Sequence, residues 1–157
     1  MERIEFNLLK AETAAQIREI EKIFKEITDR KKSAGKSKAS LESLAYKLHN
    51  LYSAYEDLFK IIARHFENQI EDISRYHKEL LKRMTLSIEG VRPALLSEET
   101  HKLLDELRAF RHFFRHAYAY EIKHEKMKPV LDSAERLKAV YRKNVHKFLS
   151  EIEKEVH

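Results

Sequence analysis

The sequence predicts an all-α protein, and three observations carry that prediction. Only two glycines and two prolines occur in 157 residues, which leaves little material for the tight turns of β-hairpins. Charged residues make up 36% of the chain and hydrophobic residues 43%, a balance typical of amphipathic helices. Apolar residues also return at helical spacing through long segments. We therefore expect one domain over residues 1–157, built as a bundle of about five helices.

The first two helices are separated by a polar segment. A first helix is predicted over residues 3–28, where apolar side chains return about every 3.6 residues. Residues 29–40, DRKKSAGKSKAS, are basic, small and polar and predict a loop. Ser40 followed by Glu42 suits a helix start, so a second helix is expected from there to about His65.

A shorter helix and a break follow. The third helix is predicted over residues 73–84. The next segment, SIEGVRPALLS at residues 87–97, contains Gly90 and Pro93, which interrupt helical spacing.

The last two helices are predicted from a cap and a proline. Ser97 before Glu98 and Glu99 is a good N-cap with acidic first-turn residues, so a fourth helix is expected from there to about residue 122. Pro129 is expected near the start of a fifth helix that continues through residue 152.

The amino-acid composition limits which classes of function the protein can have. The chain has no cysteine, which excludes disulfides and thiolate catalysis and fits a cytoplasmic protein. The N-terminal MERIEFNLLKAETAAQ has no apolar core of a signal peptide, and no apolar run approaches the roughly 18 residues of a membrane span. A formal charge of +5 and a pI near 9.3 favour a polyanionic partner such as RNA.

Two local patterns suggest chemistry that their surroundings do not support. The AGKS at residues 34–37 resembles the end of a Walker A loop, but Arg30 stands where that motif needs glycine and no strand is predicted before it. His112 and His116 lie one helical turn apart, yet a zinc site usually needs three or four converging ligands. We expect neither a P-loop nor a bound metal or other cofactor.

The most informative stretch is RAFRHFFRHAYAY, residues 108–120, which places arginines, histidines and tyrosines beside phenylalanines. Within it, Arg111, His116 and Tyr118 form the pattern R-x-x-x-x-H-x-Y. A purely structural interpretation has the phenylalanines packing inward while the arginines remain in solvent. A functional interpretation has Arg111 and His116 acting together on a phosphate.

Helix geometry leaves a difficulty for the functional interpretation. Arg111, Arg115 and Tyr118 share one helix face, whereas His116 lies roughly 140° around an ideal helix from Arg111. Either the helix is distorted at this point or a second copy of the chain completes the site.

The chain resembles the HEPN superfamily, and specifically the HepT-like ribonuclease toxins. The resemblance rests on the R-x-x-x-x-H-x-Y pattern, on YKLHNLYSAYEDLFKIIA at 46–63, and on YHKELLKRM at 76–84 followed by GVRPALLSEETHKLLDELRAFRHFFRHAYAYEI at 90–122. It covers about residues 1–150. Many HepT proteins carry asparagine directly after the motif arginine, where this chain has His112.

The resemblance implies a metal-independent endoribonuclease that acts as a symmetric homodimer with a composite cleft. Arg111 and His116 would be catalytic, and two copies of His116 would divide the roles of base and acid. Tyr118 would be the tyrosine to which an MntA-like minimal nucleotidyltransferase antitoxin transfers AMP. Arg108, His112, Arg115 and Tyr120 would contact the RNA substrate.

The resulting hypothesis is the toxin of a type VII toxin–antitoxin pair that cleaves tRNA or mRNA to a 2′,3′-cyclic phosphate. The alternative is a non-catalytic HEPN helical module that binds and regulates a nucleotidyltransferase partner or a nucleotide. A third possibility is an interaction bundle without a cleft, which would leave Arg111 and His116 on separate solvent-facing surfaces.

Overall fold

The computed structural model describes residues 1–67, 76–116 and 122–157, and these confirm the all-α prediction. Within them, β-pairing is limited to one isolated bridge between Ile88 and Arg92. No helix in these ranges is both long and apolar enough to cross a membrane. The five α-helices are α1 (Arg3–Lys31), α2 (Lys38–Phe66), α3 (Tyr76–Arg83), α4 (Glu98–Arg115) and α5 (His124–Glu153).

Helix α2 is the centre of the bundle, because all four other helices pack against it. Its buried side chains explain why: they cover a wide arc of the helix, so several neighbours can pack against it, and they include Leu48, Leu51, Tyr52, Tyr55, Leu58 and Phe59. The longest packing surface joins α1 to α2, while α3 lies against α2 and α4. This arrangement brings the short helix α3 beside the segment of α4 that carries the motif.

The loop between α1 and α2 is shorter than predicted. Helix α1 continues to Lys31, and α2 begins at Lys38 rather than after Ser40. The cap is Ser37, whose hydroxyl accepts a hydrogen bond from the backbone N–H of Ser40 at 3.0 Å. A serine three residues earlier therefore satisfies the free N–H group, and Ser40 becomes part of the first turn.

The predicted break after α3 is confirmed. Residues 73–75 of the predicted third helix lie outside the described residues, and α3 ends at Arg83. A turn follows in which Gly90 has a φ of +73°, a conformation that costs glycine little and other residues more. The carbonyl of Met84 then accepts the N–H groups of Leu95 at 2.9 Å and Leu96 at 3.0 Å.

Arg92 fixes this connection to α2 and α3. Its side chain is fully buried and pairs with Glu67, with Nε donating to Oε1 at 2.8 Å. Its Nη1 donates to the carbonyl of Leu86 at 2.9 Å, and Nη2 donates to the carbonyl of Arg83 at 3.0 Å. One guanidinium thus satisfies backbone carbonyls at the end of α3 and a buried carboxylate at the end of α2.

The prediction that the fourth helix reaches residue 122 is wrong. Helix α4 ends at Arg115, and His116 has φ −112° and ψ 11°, outside the helical region. Its N–H bonds back to the carbonyl of Phe113 at 3.1 Å, the tighter pattern of a helix end. Ile122 and Lys123 are described and are not helical.

Helix α5 begins at His124, and Pro129 lies near its start, as the sequence predicted. The proline lies inside the helix, in its second turn. Because proline has no N–H, the carbonyl of Glu125 loses its intrahelical partner. The helix continues to Glu153 with Leu131, Leu137 and other apolar residues turned to the core.

Candidate functional site: a basic cavity between α3 and α4

A cavity of about 560 Å³ opens between α3 and α4, and its walls are strongly basic. Five lysine or arginine side chains and two histidines line it, against one carboxylate. We call this site the basic cavity. Its lining residues are His77, Lys78, Glu79, Lys82, Arg108, Arg111, His112 and Arg115.

Helical spacing explains how two helices supply so many cations. Lys78 and Lys82 lie four residues apart on α3, so their exposed side chains stand on one face. Arg108, Arg111 and Arg115 follow at spacings of three and four on α4, which places them on the facing side. The concentration of positive charge between the helices suits a phosphate-bearing ligand.

Arg111 enters the basic cavity from a largely buried position. Only 6% of the residue is exposed. Its Nη1 donates to Glu56 Oε1 at 2.6 Å and to Ser53 Oγ at 3.2 Å, and both partners belong to α2. The guanidinium carbon lies 5.0 Å from the centre of the Tyr52 ring, within range of a cation–π interaction. Arg111 is therefore a rigid cation whose charge is balanced by a buried carboxylate.

Glu56 also supports a second wall of the basic cavity. Its Oε2 lies 2.6 Å from Nδ1 of His77 on α3, and that Nδ1 lies 3.0 Å from Nη2 of Arg111. The Glu56 side chain is 3% exposed, whereas the His77 side chain is 45% exposed. A buried carboxylate on α2 thus contacts both a buried arginine and a solvent-accessible imidazole.

The rings of the two histidines of the motif segment contact each other at the end of α4, tilted by 38°. The His112 and His116 ring centres are 4.5 Å apart, and Nδ1 of His116 lies 2.8 Å from the backbone carbonyl of His112. Because a carbonyl only accepts, Nδ1 of His116 carries a proton and donates it. In the described ranges, no group of three or more His, Asp or Glu side chains is placed to share a metal ion.

His49 on α2 packs behind the motif. Its ring meets Phe114 edge to face at 5.5 Å. Burial, followed by the charges of Arg111 and Arg115, lowers the pKa of His49, so the imidazole remains neutral at neutral pH. The cationic end of α4 therefore rests on an aromatic, uncharged surface of α2.

The structure brings four of the seven predicted site residues into one cavity. Arg108, Arg111, His112 and Arg115 line the basic cavity. His116 is exposed at the end of α4 and is not among the described residues that line the cavity, although its ring contacts that of His112. Tyr118 and Tyr120 lie outside the described residues.

The structure also bears on the two interpretations of the motif segment. Phe110 is buried, and Phe113 and Phe114 are half-buried, as the structural interpretation expected. That interpretation is wrong for Arg111, which is buried and paired instead of solvated. The helix ends before His116, so the estimate of 140° for a regular helix does not apply to it.

Sequence reasoning missed the wall that α3 contributes. His77, Lys78 and Lys82 carry no recognisable motif, and only contact between α3 and α4 makes them part of the site. Glu56 did leave a signal, because it stands among buried aromatic residues on the apolar face of α2. A carboxylate in such a position needs a charged or hydrogen-bonding partner.

Comparison with known proteins identifies the family of the chain. A family model described as HepT-like protein matches residues 43–152, which is about 70% of the chain. No curated protein and no solved structure matches. The matched range runs from α2 to α5 and contains every residue of the basic cavity. The chain therefore belongs to the HepT-like family of HEPN toxin-type proteins.

Proposed function

We propose that this protein is the toxin of a type VII toxin–antitoxin pair and that it acts as a metal-independent RNA endonuclease on tRNA or mRNA. Its antitoxin would be an MntA-like nucleotidyltransferase, and its active form a homodimer. The observation that carries the proposal is the basic cavity, in a chain of the HepT-like family, with Arg111 in its wall and the His116 ring in contact with that of His112, one of its lining residues.

The charges around the basic cavity suit an RNA backbone. Lys78, Lys82, Arg108 and Arg115 supply attraction to successive phosphates, which is largely independent of base sequence. Arg111 differs from these because its position is fixed by Glu56 and Tyr52. A preorganised guanidinium stabilises the extra negative charge of a phosphorane-like transition state without reorganising during the reaction.

Cleavage without a metal requires two proton transfers. One group removes the proton of the ribose 2′-OH, the 2′-oxygen attacks phosphorus, and another group protonates the departing 5′-oxygen. The products are a 2′,3′-cyclic phosphate and a 5′-OH. His116 suits one of these roles, because an imidazole can both accept and donate a proton and its Nδ1–H is already held by a backbone carbonyl.

The same positive charges explain how AMP transfer by the antitoxin would inactivate the toxin. AMP on Tyr118, two residues after His116, would place a phosphate beside the arginines that bind substrate. The modified tyrosine would compete with RNA for those cations and block the cleft by its bulk.

The test is an RNA cleavage assay in EDTA that compares the wild type with His116→Ala. We expect the wild type to cleave without added metal and the variant to lose about 10²-fold or more of the rate. His101→Ala, a change at a half-buried histidine in the first turns of α4 and away from the basic cavity, is the matched control and should cleave normally. Circular dichroism checks that all three proteins fold alike. Equal cleavage by wild type and His116→Ala would exclude His116 as a catalytic residue.

The non-catalytic module remains the second candidate, and the buried state of Arg111 favours it. Nη1 of Arg111 donates to Glu56 and Ser53 of α2, as in an arginine with a structural role. This candidate predicts no cleavage by wild type together with tight binding to a nucleotidyltransferase. The cleavage assay and a pull-down with that enzyme separate the two functions.

A further inference from the structure

A single buried carboxylate connects His77 to Arg111, and this connection lies outside the sequence motif. Glu56 uses Oε1 for Arg111 and Oε2 for His77, each at 2.6 Å. An ionised carboxylate accepts hydrogen bonds and does not donate them. The proton of His77 therefore resides on Nδ1, which donates to Glu56.

A second contact at the same Nδ1, from Arg111, does not reverse this assignment. Nη2 of Arg111 lies 3.0 Å from the same Nδ1, but a protonated Nδ1 has no lone pair to offer that donor. The short contact to Glu56 thus decides the tautomer, and Arg111 contributes charge to the cluster. In the neutral ring the lone pair is on Nε2, across the ring from the carboxylate, and the half-exposed side chain lines the basic cavity.

We propose that His77 is the general base of this cavity and that Glu56 is the residue that positions it. The inference rests on the proposed ribonuclease function and adds a catalytic residue to it. Nε2 of His77 takes the proton of the ribose 2′-OH as the 2′-oxygen forms its bond to phosphorus. The bond from phosphorus to the 5′-oxygen breaks, and His116 gives that oxygen a proton. The second proton-transfer role thus belongs to α3 rather than to the His116 of a second copy.

The surroundings favour the role of base over that of acid. Glu56 holds the proton of the neutral ring at Nδ1 and stabilises the imidazolium that forms when Nε2 accepts a second proton.

His77→Asn tests the role of the ring without removing its anchor. An asparagine amide can donate to Glu56 much as Nδ1 does, but it cannot accept a proton at neutral pH. We expect kcat for RNA to fall by about 10²–10⁴-fold with KM within a few-fold of the wild type. His65→Asn is the matched control, because His65 also pairs with a glutamate, Glu12 at 2.7 Å, but lies away from the basic cavity. It should cleave like the wild type.

A substrate with sulfur in place of the scissile 5′-oxygen separates the base from the acid. A thiolate leaves without protonation, so His116→Ala should cleave this substrate at close to the rate of the wild type. His77→Asn should still cleave it slowly. If this substrate restored cleavage by His77→Asn, His77 would not be the base. If His77→Asn cleaved ordinary RNA with the kcat of the wild type, His77 would be excluded from catalysis, and the proposed ribonuclease function would stand. Absence of cleavage by wild-type protein would overturn both proposals. Nitrogen NMR of the His77 ring provides a readout besides activity: we expect the Nδ1–H form in the wild type, and the Nε2–H form would contradict it.

Discussion

At Glu56, a carboxylate stands on the face of α2 that otherwise carries Tyr52, Tyr55 and Phe59 into the core. Moving a charge out of water costs several kcal/mol, so a buried carboxylate is stable only with partners of good geometry. Here the partners are Arg111 and His77, and each comes from a different helix. One residue of the central helix thus determines where two cavity side chains lie.

Glu56→Gln should destabilise the protein strongly, although the new side chain has nearly the same shape. The Arg111 guanidinium would remain buried without its counter-charge, and breaking such a pair costs about 3–5 kcal/mol. Urea unfolding measures the loss. The matched control is Glu135→Gln, which breaks the exposed pair with Lys31, whose side chains are 54% and 49% exposed. Its cost should stay below about 1 kcal/mol, and equal losses in the two variants would show that the buried pair is not stabilising.

At the scale of single residues, the sequence predicted one wall of the basic cavity and missed the other. The family resemblance implied that Arg108, His112 and Arg115 contact the substrate beside Arg111, and all four line one cavity. It did not predict the burial of Arg111, which depends on α2 lying against α4. His77 was missed for a similar reason: contacts between helices of distant sequence position leave no periodic signal.

At the scale of the elements, α3 (Tyr76–Arg83) is held by contacts with its surroundings. It packs against α2 and α4, and its last carbonyl is bonded from outside the helix. The chief anchor is Arg92, whose side chain is fully buried and bonds both to Glu67 and to the last carbonyl of α3. The cavity wall that carries His77 and Lys82 therefore depends on a connection outside the cavity.

Arg92→Met should loosen α3 more than the rest of the bundle. Methionine fills a similar volume but cannot bond the Arg83 and Leu86 carbonyls, and it removes one counter-charge of Glu67. Hydrogen exchange should show amides in 76–96 opening at least about tenfold faster, with a smaller change in α1.

Arg136→Met is the control for that experiment. It breaks an exposed pair with Glu99, whose side chains are 57% and 52% exposed. Its exchange pattern should match that of the wild type. A uniform change over all five helices in Arg92→Met would contradict a local role for Arg92.

Element boundaries show what the sequence could and could not predict at this scale. The number and order of the helices followed from apolar spacing, and the break at Gly90 followed from turn chemistry. The residues at which the helices begin and end were less predictable. Ser37 competed with Ser40 as a cap, and no glycine or proline marks the end of α4 at Arg115.

At the scale of the whole molecule, positive charge is concentrated where α3 and α4 meet. The chain carries a net charge of +5, and five of its lysines and arginines line the basic cavity beside one glutamate. Such a concentration attracts a polyanion more strongly than the same charge spread evenly. Binding should therefore weaken steeply as salt rises.

The double variant Lys78→Met/Lys82→Met should bind RNA with a weaker salt dependence. Each lost contact to a single-stranded phosphate lowers the slope of log K against log salt by about 0.7, so the pair should lower it by about 1.4. Filter binding over a range of salt concentrations measures the slope. Lys138→Met/Lys143→Met removes two exposed lysines of α5 outside the basic cavity and should keep the wild-type slope. A larger effect from the α5 pair would place the RNA on another face.

The shared carboxylate of Glu56 has a consequence for the evolution of the family. Because positions 56, 77 and 111 form one hydrogen-bonded cluster, a change at one of them alters which residues the other two tolerate. We expect the three positions to be inherited together. A relative that replaces the glutamate should also replace the histidine and should pair its arginine with another anion, so that a change at one position is accompanied by compensating changes around the other two.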